Sequence, residues 1–123
     1  MKGLRLFLII QIISFVSIFS CKKQSQYYSK KEIIGMLKSN NTDTIMIACD
    51  YITIHKDTTV YEVLINSPLK GGISHNLNHY GLNGYMARMN TLRTLTGKIP
   101  PNKIRHIPDS LVVDFYRKLV LKK

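Results

Sequence analysis

From residue 29 onward, apolar side chains recur every three or four positions, the spacing of helices that bury one face. Most of these stretches open on a residue that caps helices. Ser29 with Glu32 three places on has the form of a capping box, and the helix it predicts, 30–38, turns Ile33, Ile34 and Leu37 inward. Asn40, Asn41 and Thr42 break it. Asp43 is the expected N-cap of a second helix, in which Ile45, Ala48, Cys49 and Ile52 fall at i, i+3, i+4 and i+7 before an end near Lys56. Thr59 and Glu62 suggest another capping box, opening a short helix with Val60, Val63 and Leu64 that stops at Ser67 and Pro68. Asn83 caps a fourth, with Tyr85, Met89, Leu92 and Leu95 on one side and Gly97 as its left-handed close. After a Pro-rich connector, 99–108, Asp109 caps a fifth, with Leu111, Val112, Phe115 and Leu119 inward. The predicted fold class is all-α, a small bundle of about five helices.

Two stretches fall outside this rhythm. Residues 67–83, SPLKGGISHNLNHYGLN, alternate only weakly and read as a loop of a length that is often functional. Residues 22–28, KKQSQYY, are polar without period and read as a tether. The organisation expected is a leader at 1–20, a tether at 21–28 and one helical domain at 29–123.

Charge adds a bias toward acidic partners. The 123 residues carry 18 Lys and Arg against 7 Asp and Glu, a formal +11. Nucleic-acid readers gather such charges into one stripe with aromatics to stack on bases. Here they fall in pairs along the chain, Lys22–Lys23, Lys30–Lys31 and Lys122–Lys123, so no nucleic-acid partner is expected.

The amino-terminal stretch places the chain. Lys2 and Arg5 precede an apolar run from Leu6 to Phe19, the layout of a signal peptide. At 1.5 Å per residue such a run rises about 21 Å, short of the roughly 30 Å core of a bilayer. It ends on Ser20 and Cys21 with Ile18 three places before the cysteine, and so resembles a bacterial lipoprotein signal; Phe19 departs from the small or β-branched residue usual there. The resemblance implies a diacylglyceryl group on the Cys21 sulfur, cleavage before Cys21, and acylation of the new amine. Only a thiolate is nucleophilic enough near neutral pH to take that group. Lys22 after the cysteine, where Asp would favour inner-membrane retention, implies the outer membrane. Without the leader, the 103 remaining residues hold 16 basic and 7 acidic side chains, a net +9.

ACDYITIHKDTTVYEVLINSPL, followed by the helix at 84–96, resembles HEAT-type helical repeats. In that family antiparallel helix pairs join through a tight turn, often with an Asp, and Asp57 stands at such a turn. The implied fold is a minimal helical bundle with HEAT-like hairpin packing rather than a true solenoid, since repeat arrays need about three units to be stable. The 17-residue loop departs from the family spacing.

Candidate chemistry is sparse. Cys49 has no partner for a disulfide once Cys21 is lipidated, and falls on an apolar face as a small hydrophobe. His75 and His79 would share a face if helical, as zinc ligands do, but Asn76 stands where a metalloprotease needs Glu. Gly71 and Gly72 are followed by no Lys-Ser or Lys-Thr pair, as a P-loop requires. Tyr27, Tyr28, Tyr80 and Tyr85 could line an aromatic surface. The expectation is a non-catalytic lipoprotein of the cell envelope, using no cofactor beyond the covalent lipid on Cys21. It is held to the membrane by its acyl chains and meets another envelope protein through the 67–83 loop and the helix after it, with His75, His79, Tyr80, Arg88 and Arg93 as contacts. The alternatives are a metal-assisted enzyme built on His75 and His79, or a basic module that binds an anionic membrane surface.

Overall fold

A computed structural model describes residues 26–67 and 72–122. The leader, Cys21 and the first tether residues lie outside these. Within them the chain is all-α: α1 (Lys30–Leu37), α2 (Thr42–His55), a 3-10 turn (Thr58–Val60), α3 (Tyr61–Asn66), α4 (Gly84–Thr96) and α5 (Ser110–Val120), with no strand among the described residues.

Helix α1 starts as its sequence dictates. The Ser29 amide donates to Glu32 Oε2 at 2.7 Å and the Glu32 amide to Ser29 Oγ at 3.3 Å, which satisfies two amides the helix itself cannot. The Ser29 hydroxyl first, and its amide second, hold the Glu32 carboxyl below its ordinary range. Ile33 and Leu37, one turn apart, are buried.

In α2 the expected N-cap moves. Asn41, not Asp43, accepts from the Thr44 amide at 3.0 Å. Asn41 is the residue with extended backbone, while Asp43 already lies in the first turn, where its negative charge complements the helix dipole. The helix closes at Lys56, a non-glycine residue at φ 51°. Beyond it, Asp57 rather than Thr59 caps the next turn, accepting from the Thr59 amide at 2.9 Å and hydroxyl at 2.6 Å. The Thr59–Glu62 box is thereby displaced, because a 3-10 turn intervenes before α3.

The core is built around α4. It packs most extensively against α2, then against α3, while α2 also covers α1 and α3 also meets α5. Consecutive helices α2 and α3 contact each other little and are joined through α4 instead. Ile45, Ile52, Leu64, Met89, Leu92, Val112 and Tyr116 are fully buried between these elements. Asn83 caps α4 through the Met86 amide at 2.9 Å, and Gly97 closes it at φ 65°, where an L side chain would be strained.

Helix α5 sits at a different rotation from the one expected. Val112, Val113 and Tyr116 are buried, whereas Leu111 and Leu119 are 58% and 42% exposed. Three bonds around the N-cap set this phase. The Asp109 amide donates to Tyr85 Oη at 3.2 Å, while its carboxylate accepts from the Leu111 amide and from Asn102 Nδ2, each at 2.8 Å. The Asn102 bond leads the causes that keep the Asp109 carboxyl below its ordinary range. Further along, Tyr116 reaches the Lys98 carbonyl at 3.0 Å, so its ring is committed to the core with its hydroxyl paired.

Candidate functional site

The segment that follows α3 is ordered by its hydrogen bonds from Gly72 onward. Ser74 is buried, and its backbone closes a small loop: its amide donates to the Leu82 carbonyl at 2.7 Å, and its carbonyl accepts from the Gly81 amide at 3.1 Å. The Ser74 hydroxyl donates to Asp43 Oδ1 at 2.6 Å and accepts from the Asn76 amide at 3.1 Å. Thr42 Oγ1 donates to the Gly72 carbonyl at 2.8 Å. Because Asn41 caps α2, the Asp43 carboxylate is available to hold this loop. On the other side, His106 Nε2 donates to the Gly81 carbonyl at 3.0 Å, and Asn83 Nδ2 donates to the His106 carbonyl at 2.7 Å. The loop is therefore fastened to both α2 and the connector before α5.

Docked in this way, the loop ends a 200 Å³ cleft between α2 and α4. Asp50, Thr53, His79, Asn90 and Thr94 line it, with Cys49 and Thr91 below. His79 Nε2 stands 3.0 Å from Asp50 Oδ2, a carboxylate that orients the ring. Thr53 and Thr94 turn their hydroxyls back onto the carbonyls of Cys49 and Asn90, at 2.8 and 3.0 Å. The Cys49 thiol is pushed up to about 11, chiefly by burial, with Thr91 pulling weakly the other way. At neutral pH it is a protonated apolar group and no nucleophile. The polar groups on the cleft wall are the His79–Asp50 pair, Asn90 and the two threonine hydroxyls.

The residues singled out in the sequence part company here. His75 is exposed and meets Tyr80 edge-on at 6.3 Å, and Tyr80 is exposed as well. His79 instead faces Asp50, so the two histidines serve different partners on a turn rather than one face of a helix. Among the described residues no group of three or more His, Cys, Asp or Glu is placed to hold a metal ion. Arg93 is exposed and close enough to Tyr116 for its charge to be felt there, on the α5 side of α4.

Arg88 is the largest correction. It is fully buried, and cannot be the surface contact its charge suggested. Its Nη2 donates to the Leu37 carbonyl at 2.7 Å and its Nη1 to the Ser67 carbonyl at 3.3 Å. Those carbonyls belong to the last residue of α1 and the residue closing α3, positions that lack partners within their own helices. One guanidinium fork thus terminates two helices, and burial lowers its pKa from the ordinary Arg value.

A second cluster joins the tether to the domain. Tyr51 Oη donates to the Tyr28 carbonyl at 3.3 Å, and the Tyr27 and Tyr28 rings meet Tyr51 edge-on at 6.4 and 5.2 Å. His55 stacks on the same ring at 3.9 Å.

The Asp43–Ser74 and Asp50–His79 contacts escaped sequence reasoning, since each joins residues about thirty apart and no local period marks them. The local hint was a pair of acids in an otherwise uncharged helix, Asp43 in its first turn and Asp50 near its middle. Together, fold and site define, among the described residues, a small all-α domain of five helices with a pinned loop at the end of a cleft of mixed polar and apolar lining. Compared with protein-family models, curated proteins and solved structures, the chain matches none.

Proposed function

We propose that the chain is a lipid-anchored, non-catalytic binding module of the bacterial cell envelope, carried by acyl chains on Cys21 and facing the periplasm from the outer membrane. The observation that carries the reading is the run of Ile18, Ser20 and Cys21 at the end of an apolar leader, with a capped helical domain opening at Ser29, eight residues on. Two or three acyl chains give lasting attachment where one gives only marginal binding.

The face assigned to an envelope protein is the loop at 72–83 with the α2–α4 cleft. His75 and Tyr80 stand exposed on a backbone already fastened at Asp43, His106 and Asp50, so little ordering would remain to oppose binding. His79 lines it and Arg88 supports it from within, while Arg93 stands apart on the α5 side of α4.

Intact-mass analysis of the protein purified from envelopes, together with palmitate labelling, tests the anchor. The expected product begins at Cys21 with diacylglyceryl and amide-linked acyl mass, and Cys21→Ser carries no label. Retention of Met1 with a bare thiol on Cys21 would end the proposal. For the binding face, His75→Ala with Tyr80→Ala should abolish co-purification of a cross-linked partner without lowering the melting temperature.

A further inference from the structure

Helix α5 leaves an apolar flank uncovered. Leu111, Phe115 and Leu119 follow at i, i+4 and i+8, and at 100° per residue they fall within roughly 80° of arc. Leu111 is 58% exposed, Leu119 42%, and Ile107, just before the helix, 80%. Phe115 is half-buried, its ring edge-on to Tyr116 at 5.1 Å.

Cations border this flank. Lys118, seven places after Leu111, projects from the same side, and Lys122 follows at the end of the helix; both are exposed. Lys103 and Arg105 line the 590 Å³ hollow that leads into Ile107. The nearby acids are engaged within the fold, Asp109 as N-cap and Asp114 in an ion pair with Arg117 at 2.5 Å. Apolar side chains rimmed by long basic ones match the boundary between acyl chains and anionic headgroups, where lysine stems lie on the apolar layer and their ammonium groups reach phosphate.

The geometry points to this flank of α5 as an interfacial contact for anionic phospholipid, which lays the domain against the membrane in one orientation. The inference rests on the envelope reading only for the presence of a membrane nearby.

The chain contains no tryptophan, so a single introduced indole reports cleanly. The full chain carrying Leu111→Trp, and a control carrying Ile54→Trp on α2, 75% exposed, are reconstituted on vesicles whose acyl chains carry bromine. With phosphatidylglycerol at about 30 mol%, bromine should quench the L111W indole at least about twofold more than the I54W indole. Pure phosphatidylcholine, or about 0.5 M salt, should erase the difference. Lys118→Glu and Lys122→Glu should each weaken contact by about fivefold, the equivalent of the roughly 1 kcal/mol a basic side chain gains at an anionic surface.

Equal quenching of the two indoles overturns the proposal. So does protection of the L111W indole from aqueous quencher that scales with protein density and ignores lipid charge, since a second copy would then cover the stripe. The chain stays on the vesicle through acyl chains or through its apolar leader, and the intact mass of the same sample reports Cys21 separately. Failure of this inference is thus distinguishable from failure of the anchor.

Discussion

Helices α4 and α5 open alike, each on a side chain that accepts from a first-turn amide, and run to 13 and 11 residues. Their partners differ. α4 lies among α2, α3 and α5, so seven of its thirteen residues are buried, including Arg88 and Thr91. α5 meets chiefly α3 and α4, and only Val112, Val113 and Tyr116 are buried, while Leu111 and Leu119 stay in the open. One helix hides a cation and the other displays leucines. Burial here follows the number of neighbours an element has, and the chemistry of each position adapts to it: the buried cation is tolerable because helix ends supply carbonyls to receive it.

The sharpest way to break this contrast is Arg88→Ala. It strands the carbonyls of Leu37 and Ser67 and leaves a void, and should lower stability by about 3 to 5 kcal/mol in urea unfolding. Arg88→Met, which keeps most of the volume, should recover only part of that loss; full recovery would show that packing alone matters there. Next comes a matched pair of truncations. Leu92→Ala, at 0% exposure, should lose about 3 kcal/mol, and Leu111→Ala, at 58%, less than about 0.5 kcal/mol. Similar losses at both would refute the burial pattern.

A smaller effect is expected where the loop is fastened. Ser74→Ala removes the bond to Asp43 and the support of the Asn76 amide, and should lower stability by about 1 to 2 kcal/mol. Amide exchange should then quicken at Gly81 and Leu82 but stay unchanged in α4.

The smallest effect is acid sensitivity of the caps. Glu32 and Asp109 both titrate below their ordinary values of 4.5 and 3.8 in the folded chain. A carboxyl depressed on folding contributes stability above its unfolded pKa, and that contribution fades as pH falls through the folded one. Stability should therefore decline below about pH 4.5, first through Glu32, and Glu32→Gln with Asp109→Asn should flatten the slope.

These regions also show what the sequence made legible. Local signals read well: the Ser29–Glu32 box, the Asn83 and Asp109 caps and the glycine close at Gly97 all need only neighbouring residues. Signals that depend on a distant partner read poorly. Which flank of α5 turns inward is set by Tyr85, 24 residues before Asp109, and periodicity alone does not distinguish Leu111–Phe115–Leu119 from Val112–Tyr116. Arg88 looked like a surface charge because its acceptors lie 51 and 21 residues away. The cleft was invisible for the same reason, while residues 72–83, the described part of the segment marked as a loop at 67–83, hold no helix.

The aromatic stack of Tyr27, Tyr28, Tyr51 and His55 sets a leash length. From Cys21 to Tyr28, whose carbonyl accepts from Tyr51 Oη, the chain has seven residues of backbone, which no conformation extends beyond roughly 25 Å. On the lipid-anchored reading the domain cannot roam the periplasm. On the same reading, a partner would have to come within a few nanometres of the bilayer to be caught.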